Sequence, residues 1–149
     1  MSILTSLREF YNRDLEKLAA EIASFDNDEQ LWEVRGDITN SAGNLALHLC
    51  GNIDHFIGAI LGNTGYVRER DKEFSTKGLS KEALVTMISE CKTRIDQTLS
   101  NLEEDILNKP YPVEVFGKPM THGHFLIHLT THFNYHLGQL NYLRRMMSV

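Results

Sequence analysis

Three histidines recur at every fourth position near the end of the chain, in the stretch HLTTHFNYHLGQL from His128 to Leu140. Four residues of α-helix advance about 400°, so His128, His132 and His136 each lie roughly 40° around the helix from the last and one turn further along. Two imidazoles at this spacing point towards one place in space. This is the geometry by which one helix offers two ligands to a metal ion. The structural alternative is a row of polar residues beside a core stripe.

A second polar row interrupts the segment SAGNLALHLCGNIDHFIGAILGN, whose surface is otherwise apolar nearly all round, as in a buried helix. On a helical wheel its four polar side chains fall within about 80° of one another; they are Asn44, His48, Asn52 and His55. Buried polar groups are costly unless they have partners, so a stripe of four indicates a common partner. A bundle that packs this stripe against the histidine row would add His48 to His132 and His136, and we therefore favour metal binding.

Three neutral imidazoles would leave at least one coordination position of the metal open for water or substrate. Open sites are catalytic in type, whereas structural zinc sites are closed by four ligands that usually include cysteine. Imidazole suits zinc, nickel, iron and copper, so these residues do not select the metal. No glutamate follows either histidine in an HExxH pattern, and Asp54, the nearest acid in the second segment, is predicted to point away from the stripe.

Four apolar-periodic segments predict four long helices, at about residues 3–25, 41–62, 80–102 and 121–147. Residues 63–79 are predicted to be a long loop. Residues 105–120 contain all three prolines, which exclude a helix, although Val113–Gly117 could form a short extended or hairpin segment. We therefore predict an all-α four-helix bundle with long connectors, in a single domain over residues 1–149.

The composition excludes several classes of partner. The chain has 149 residues, of which 42% are hydrophobic and 23% charged, and a formal net charge of −5. An acidic domain without basic clusters is a poor candidate for binding nucleic acid or an anionic membrane. No apolar run approaches the about 20 residues of a membrane span, and the charged N-terminal segment is not a signal peptide. We expect a cytoplasmic protein, in which Cys50 and Cys91 pack as small apolar groups.

The stretches NSAGNLALHL and HFNYHLGQL resemble the DinB-like superfamily of bacterial four-helix-bundle proteins, also called YfiT-like metal-dependent hydrolases. The resemblance covers nearly the whole chain, and its specific part is a histidine early in the second helix followed by HxxxH and Gly-Gln in the fourth. It implies that His48, His132 and His136 bind a divalent metal, often zinc or nickel, and that the chain forms a homodimer. The stretch GNIDHFIGAILGNTGYVRERDKEFS resembles a subgroup without an established substrate.

Characterised members of that superfamily include thiol S-transferases that use bacillithiol or mycothiol, and a thiol-dependent isomerase. The resemblance therefore implies a metal-dependent enzyme that acts on a small molecule, of the thiol transferase or hydrolase type, with a low-molecular-weight thiol as a candidate cofactor. Arg68 or Arg70 would bind the carboxylates of the thiol, and Tyr66 is a further candidate for the substrate site. Trp32, in a connector, either covers the end of the core or walls a pocket. The alternative function is a metal-binding stress-response protein without catalysis.

Five polar side chains are predicted to surround the ligands: Asn44, Asn52, His55, His128 and Gln139. A ligating histidine usually donates its second N–H to an acceptor outside the coordination sphere. Gln139 lies three residues beyond His136, so its amide oxygen could serve this purpose or could satisfy a backbone group between helices. His55 and His128 match no ligand of the superfamily and are interpreted as outer-shell or core groups.

Overall fold

Four long helices and one short helix make up the fold in the computed structural model, which describes residues 1–148. The helices are α1 Ile3–Ala23, α2 Ala42–Gly62, α3 Arg70–Ser75, α4 Lys81–Ser100 and α5 His122–Met147, and Glu29–Trp32 and Glu104–Asn108 form 3₁₀ turns. Over the described residues no β-strand forms beyond a single bridge between Pro110 and Thr121. The predicted all-α class and its four long helices are confirmed.

Each long helix begins after a serine or threonine that caps its first turn. The hydroxyl oxygens of Ser2, Ser41, Ser80 and Thr121 accept hydrogen bonds from the backbone N–H groups of Thr5, Asn44, Ala83 and His124, respectively. Such a cap satisfies one of the four N–H groups that a helix start leaves without a partner. The caps fix where α2 and α5 begin.

Helix α2 lies in the interior of the bundle. Every residue from Ala42 to Ile53 except Leu47 is buried. The apolar side chains of α2 join the core stripes of α1, α4 and α5. Because the helix is enclosed on nearly all sides, its polar residues Asn44, His48 and Asn52 are carried into the interior with it.

The same burial explains the apolar composition of α2. Residues Ala42–Gly62 are long and apolar enough to cross a membrane by length and composition, although the sequence predicted no such run. Asp54 is the only charged residue among them. In the structure, 61% of the most apolar stretch is buried inside the bundle, as in the core helix of a soluble helical domain.

Helix α2 changes from α-helical to π-helical geometry at Asp54–Ala59. A π turn holds more residues than an α turn, so wheel positions for a regular α-helix no longer apply from Asp54 onwards. The buried Asp54 carboxylate accepts hydrogen bonds from Nε and Nη2 of Arg94 in α4, at 2.8 and 2.9 Å. Asp54 is thus paired with α4 and, as predicted, points away from the polar stripe.

The connector predicted as a loop over residues 63–79 contains α3, so that prediction was wrong in part. Helix α3 has six residues and no side-chain cap, and such a short segment has no helical periodicity to detect in the sequence. Contacts with α2 hold it instead. The side-chain amide of Asn44 donates to the carbonyl oxygens of Glu73 and Thr76, at 3.0 and 2.9 Å.

The proline-rich connector between α4 and α5 folds back on itself. After the 3₁₀ turn Glu104–Asn108, the backbone N–H of Tyr111 donates to Met120 O at 2.8 Å. A turn at Gly117, whose φ is 73°, reverses the chain between these two residues. The segment is therefore hairpin-like, one of the two forms that the sequence suggested, and it carries Val115 and Phe116 towards α5.

A buried hydrogen bond ties α1 to α5, and its removal tests this packing. The Tyr11 hydroxyl donates to Leu126 O at 2.7 Å, and Tyr11 is 1% exposed. Tyr11→Phe should lower the free energy of unfolding by about 0.5–1.5 kcal/mol, because the hydrogen bond is lost while the ring stays packed. Urea unfolding measures the change, with the exposed Tyr142→Phe as the control. Equal unfolding curves for the two variants would contradict this account.

Candidate metal centre

His48 of α2 meets His132 and His136 of α5 where the two helices pack together. One nitrogen from each ring lies within 4.8 Å of the other two. The Nε2 atoms of His48 and His132 are 3.3 Å apart. Two nitrogens bound to one tetrahedral zinc ion at about 2.0–2.1 Å lie about 3.3–3.4 Å from each other. The observed separation therefore fits two ligands of a single metal ion.

The other ring nitrogens of His48 and His136 have acceptors within the protein. Glu73 Oε1 lies 3.0 Å from His48 Nδ1, and Gln139 Oε1 lies 2.7 Å from His136 Nδ1. A neutral imidazole that donates from Nδ1 carries its lone pair on Nε2. Both rings are therefore held in the tautomer that metal binding through Nε2 requires, with the outer partner that ligating histidines usually have.

Of the two α5 histidines in the cluster, His132 is the more enclosed. Its Nδ1 is buried and has no hydrogen-bond partner among residues 1–148. Burial, and then the nearby His136 and His48, lower the pKa of His132 to about 4. Burial also lowers the pKa of His136. At neutral pH both rings are therefore uncharged, which is the state in which imidazole binds metal.

Glu73 is the site residue that the sequence analysis missed. Its side chain is 6% exposed, and its carboxylate accepts hydrogen bonds from His48 and, at 2.9 and 3.0 Å, from Nε and Nη2 of Arg68. Burial alone would raise the pKa of Glu73, but the hydrogen bonds from His48 and Arg68 outweigh it and the net pKa is lowered. The result is an ionised carboxylate behind His48, an arrangement common around metal-bound histidines.

The Glu73 carboxylate occupies space that a glycine leaves free. A Cβ atom at Gly51, three residues after His48, would overlap Glu73 Oε2. A glycine on the histidine face of a buried helix was the available sequence signal for a close neighbour. It could not identify that neighbour, because Glu69, Asp71 and Glu73 lie together in one charged stretch.

A cavity of about 430 Å³ opens beside the three histidines, all of which line it. Its apolar walls are Phe56, Phe74, Val115, Phe116, Phe125 and Leu129. Its other polar lining residues are Asn40, Asn52, Arg68, Arg70 and His128. A cavity of this size that combines apolar walls with several converging polar groups is typical of a small-molecule site.

Only two of the four predicted substrate-binding residues line this cavity, Arg68 and Arg70. Trp32 packs its ring against Gly43 and donates from Nε1 to Leu79 O at 3.0 Å, so it covers the end of the core. Tyr66 lines a separate cavity together with Asp54 and Glu73. Neither aromatic residue lines the cavity beside the histidines, and Trp32 has the first of the two positions suggested for it in its connector.

The predicted outer-shell residues have different positions. Gln139 contacts His136 directly, whereas Asn44 acts at a distance by holding the backbone of Glu73. His128 lines the cavity and stacks on Phe125, with ring centroids 5.9 Å apart. Asn52 also lines the cavity, and its Oδ1 has no hydrogen-bond partner among the described residues.

His55, which was interpreted as an outer-shell or a core group, does not line the cavity. It lies in the π-helical part of α2, where the regular wheel fails. Its ring packs against Phe56, with centroids 4.7 Å apart, and burial lowers its pKa. We therefore interpret His55 as a packing group of the bundle.

Comparisons with known proteins bear on the fold. The model of the family described as "Protein of unknown function (DUF1572)" matches residues 3–149. A conserved protein from Enterococcus faecalis has a TM-score of 0.78 and 15% identity, with coverage of 99% of this chain and 98% of its own. A DinB-like protein from Bacillus cereus has a TM-score of 0.72 and 21% identity, with coverage of 91% and 86%. No curated protein matches. The fold is therefore DinB-like, as the sequence resemblance implied.

The lowered pKa of His132 predicts how stability depends on pH. The ring has a pKa of about 6.5 when unfolded and about 4 when folded, so the unfolded state binds more protons between these values. The stabilisation that a neutral His132 contributes should be complete above pH about 6.5 and lost as the pH falls towards 4. Urea unfolding of the chelator-treated protein, compared with His132→Asn, measures this. His132→Asn should lose less stability over the interval, and the exposed His124→Asn should behave as wild type. Parallel curves for wild type and His132→Asn would contradict the assignment.

Proposed function

We propose that this chain, which belongs to the DUF1572 family of proteins of unknown function, binds a divalent metal ion and uses it as an enzyme acting on a small molecule. His48, His132 and His136 are the proposed ligands. The observation that carries the proposal is the convergence of their nitrogens within 4.8 Å beside an open cavity. Zinc and nickel are the proposed metals, because the DinB-like resemblance implies them and both accept imidazole donors.

Catalysis is favoured over metal storage by the accessibility of the proposed centre. Three protein ligands leave a position open, and all three line a cavity large enough for a small molecule. A metal ion bound there would act as a Lewis acid and would lower the pKa of a water molecule or thiol at the open position. This chemistry suits thiol transfer to an electrophile, with a low-molecular-weight thiol as cosubstrate, or hydrolysis.

The side chains around the ligands have distinct parts in the proposed mechanism. Glu73 orients the His48 ring, and its ionised carboxylate makes that imidazole a stronger donor. Arg68 balances the buried charge of Glu73. The phenylalanines limit access of water to the reacting groups. His128 also lines the cavity, where its ring is available to exchange a proton with a bound molecule.

One observation favours the non-catalytic alternative. Over residues 1–148 no aspartate or glutamate lines the cavity, so a carboxylate general base is not supplied there. A protein that only holds a metal ion would need none. The two functions therefore differ in a measurable way, because only the enzyme requires turnover as well as metal. The homodimer and the cytoplasmic location stay predictions.

Metal content tests the ligand set. His48→Ala, His132→Ala and His136→Ala should each abolish stoichiometric binding of zinc or nickel, because each removes one of three donors. His55→Ala and His128→Ala should retain it, because neither belongs to the cluster. Elemental analysis of protein purified without a histidine tag measures the stoichiometry. Full metal occupancy in His48→Ala would show that the ligand set is wrong.

Turnover by the metal-loaded protein then separates the two functions. A screen of low-molecular-weight thiols with small electrophiles, and of small esters and amides, should yield an activity that a chelator removes and added metal restores. Stoichiometric metal without any such activity would support the non-catalytic alternative.

The outer partners of the ligands should tune metal affinity. Glu73→Gln and Gln139→Leu should each weaken binding about 10–100-fold, because the first neutralises the acceptor of the His48 N–H and the second removes the acceptor of the His136 N–H. Chelator competition at constant pH measures the affinity, and Glu69→Gln, an exposed acid of the same segment, is the matched control. A Gln139→Leu variant that is destabilised but binds metal normally would assign Gln139 to packing between helices.

A further inference from the structure

Asn52 presents an amide without a partner to the cavity beside the histidines. The residue is 8% exposed, and its buried Oδ1 accepts no hydrogen bond from any residue in the described range 1–148. It lies one turn beyond His48 on α2 and lines the cavity. A buried polar group without a partner destabilises the folded state, and because Asn52 lines the cavity, its side-chain amide is the candidate polar contact for a molecule bound there.

The cavity also carries positive charge that no lining acid balances. Arg68 is paired with Glu73, whereas Arg70 makes no ion pair with any residue that the structure describes. The Arg70 guanidinium lies over the Phe74 ring, 5.3 Å from its centroid, at the cavity wall. An arginine in this position attracts an anion and can bind a carboxylate through two parallel hydrogen bonds.

The remaining walls are apolar, and four of them are phenylalanine rings: Phe56, Phe74, Phe116 and Phe125. Phe116 is 48% exposed, a large apolar surface at the edge of the cavity that a bound molecule would cover. Aromatic walls of this kind contact the apolar body of a ligand.

We propose that the ligand of this cavity is a small carboxylic acid with an apolar body and a hydrogen-bonding amide or hydroxyl group. Arg70 binds the carboxylate, Asn52 bonds the amide or hydroxyl, and the phenylalanines contact the body. This inference rests on the proposed function, because it assigns the ligand class of the same cavity. Asn52 and Arg70 are specificity-determining residues, and neither is a metal ligand.

Three probes of similar size separate the two contacts. Hippurate has a phenyl ring, an amide and a carboxylate; 4-phenylbutyrate lacks the amide, and hippuramide lacks the charge. Isothermal titration with the intact protein should rank hippurate as the tightest. Arg70→Met should weaken both acids about tenfold or more and leave hippuramide unchanged, and Asn52→Leu should weaken hippurate about three- to tenfold and leave 4-phenylbutyrate unchanged.

The thermal stability of Asn52→Leu provides a second measurement, for which a purely structural role of Asn52 predicts a different result. Without a ligand, Asn52→Leu should unfold at a higher temperature than wild type, because leucine of similar size removes an unpaired buried amide. The same variant should bind hippurate more weakly. A destabilised Asn52→Leu with unchanged discrimination between the probes would assign Asn52 to the packing of α2 and overturn its proposed role.

Arg145→Met is the matched control for Arg70→Met. Both arginines are exposed and lie over an aromatic ring at 5.3 Å, but only Arg70 lines the cavity. Each titration is run on metal-loaded and on chelator-treated protein. If chelator-treated protein binds hippurate, and Arg70→Met and Asn52→Leu weaken that binding, the proposed ligand class is supported even if the metal proposal fails. Absence of saturable hippurate binding in both forms, or equal effects of the two arginine variants, would overturn it.

Discussion

The buried carboxylate of Glu73 supports the candidate site more than any other group. It joins α3 to α2 through His48, and it holds Arg68 at the cavity wall. A buried carboxylate is unfavourable unless charged or hydrogen-bonded partners compensate it, and Glu73 has three hydrogen bonds from two residues. The absence of a side chain at Gly51 makes the approach possible. The orientation of the His48 ring towards His132 and His136 therefore depends on a short helix that has little stability of its own.

The long helices could be predicted from the sequence because local signals specify them. Each has apolar residues at three- and four-residue steps, and each follows a serine or threonine, the residue type that caps its first turn in the structure. Helix α3 lacks both signals. Its six residues are charged at four positions, and the contacts that hold it, from Asn44 and His48, come from residues about 25 to 30 positions earlier in the chain. Tertiary contacts of this kind leave no periodic trace in the segment itself.

Some residues of the candidate site could likewise be predicted from a local pattern, and others could not. The spacing of His132 and His136, and the polar stripe containing His48, are properties of single helices and could be found by pattern. Glu73 could not be distinguished from Glu69 or Asp71, because the difference between them is burial and not residue type. His55 was placed with the stripe because a regular helix was assumed, and the π turn at Asp54–Ala59 removes that assumption. Trp32 and Tyr66 lie in connectors, where no periodicity indicates the direction of a side chain.

The two asparagines of the α2 stripe show what burial alone does not decide. Asn44 and Asn52 lie on the same helix face and are both buried, so a wheel treats them alike. Asn44 donates to two carbonyl oxygens of the α3 segment, and its polar group is used within the fold. Asn52 has no described partner for its Oδ1 and faces the cavity. A buried polar residue whose partners are all in the protein, such as Asn44, holds the segments that it bonds in place. One without a described partner, such as Asn52, is unfavourable for stability alone, because an apolar residue of similar size would avoid the cost of burying an unpaired amide.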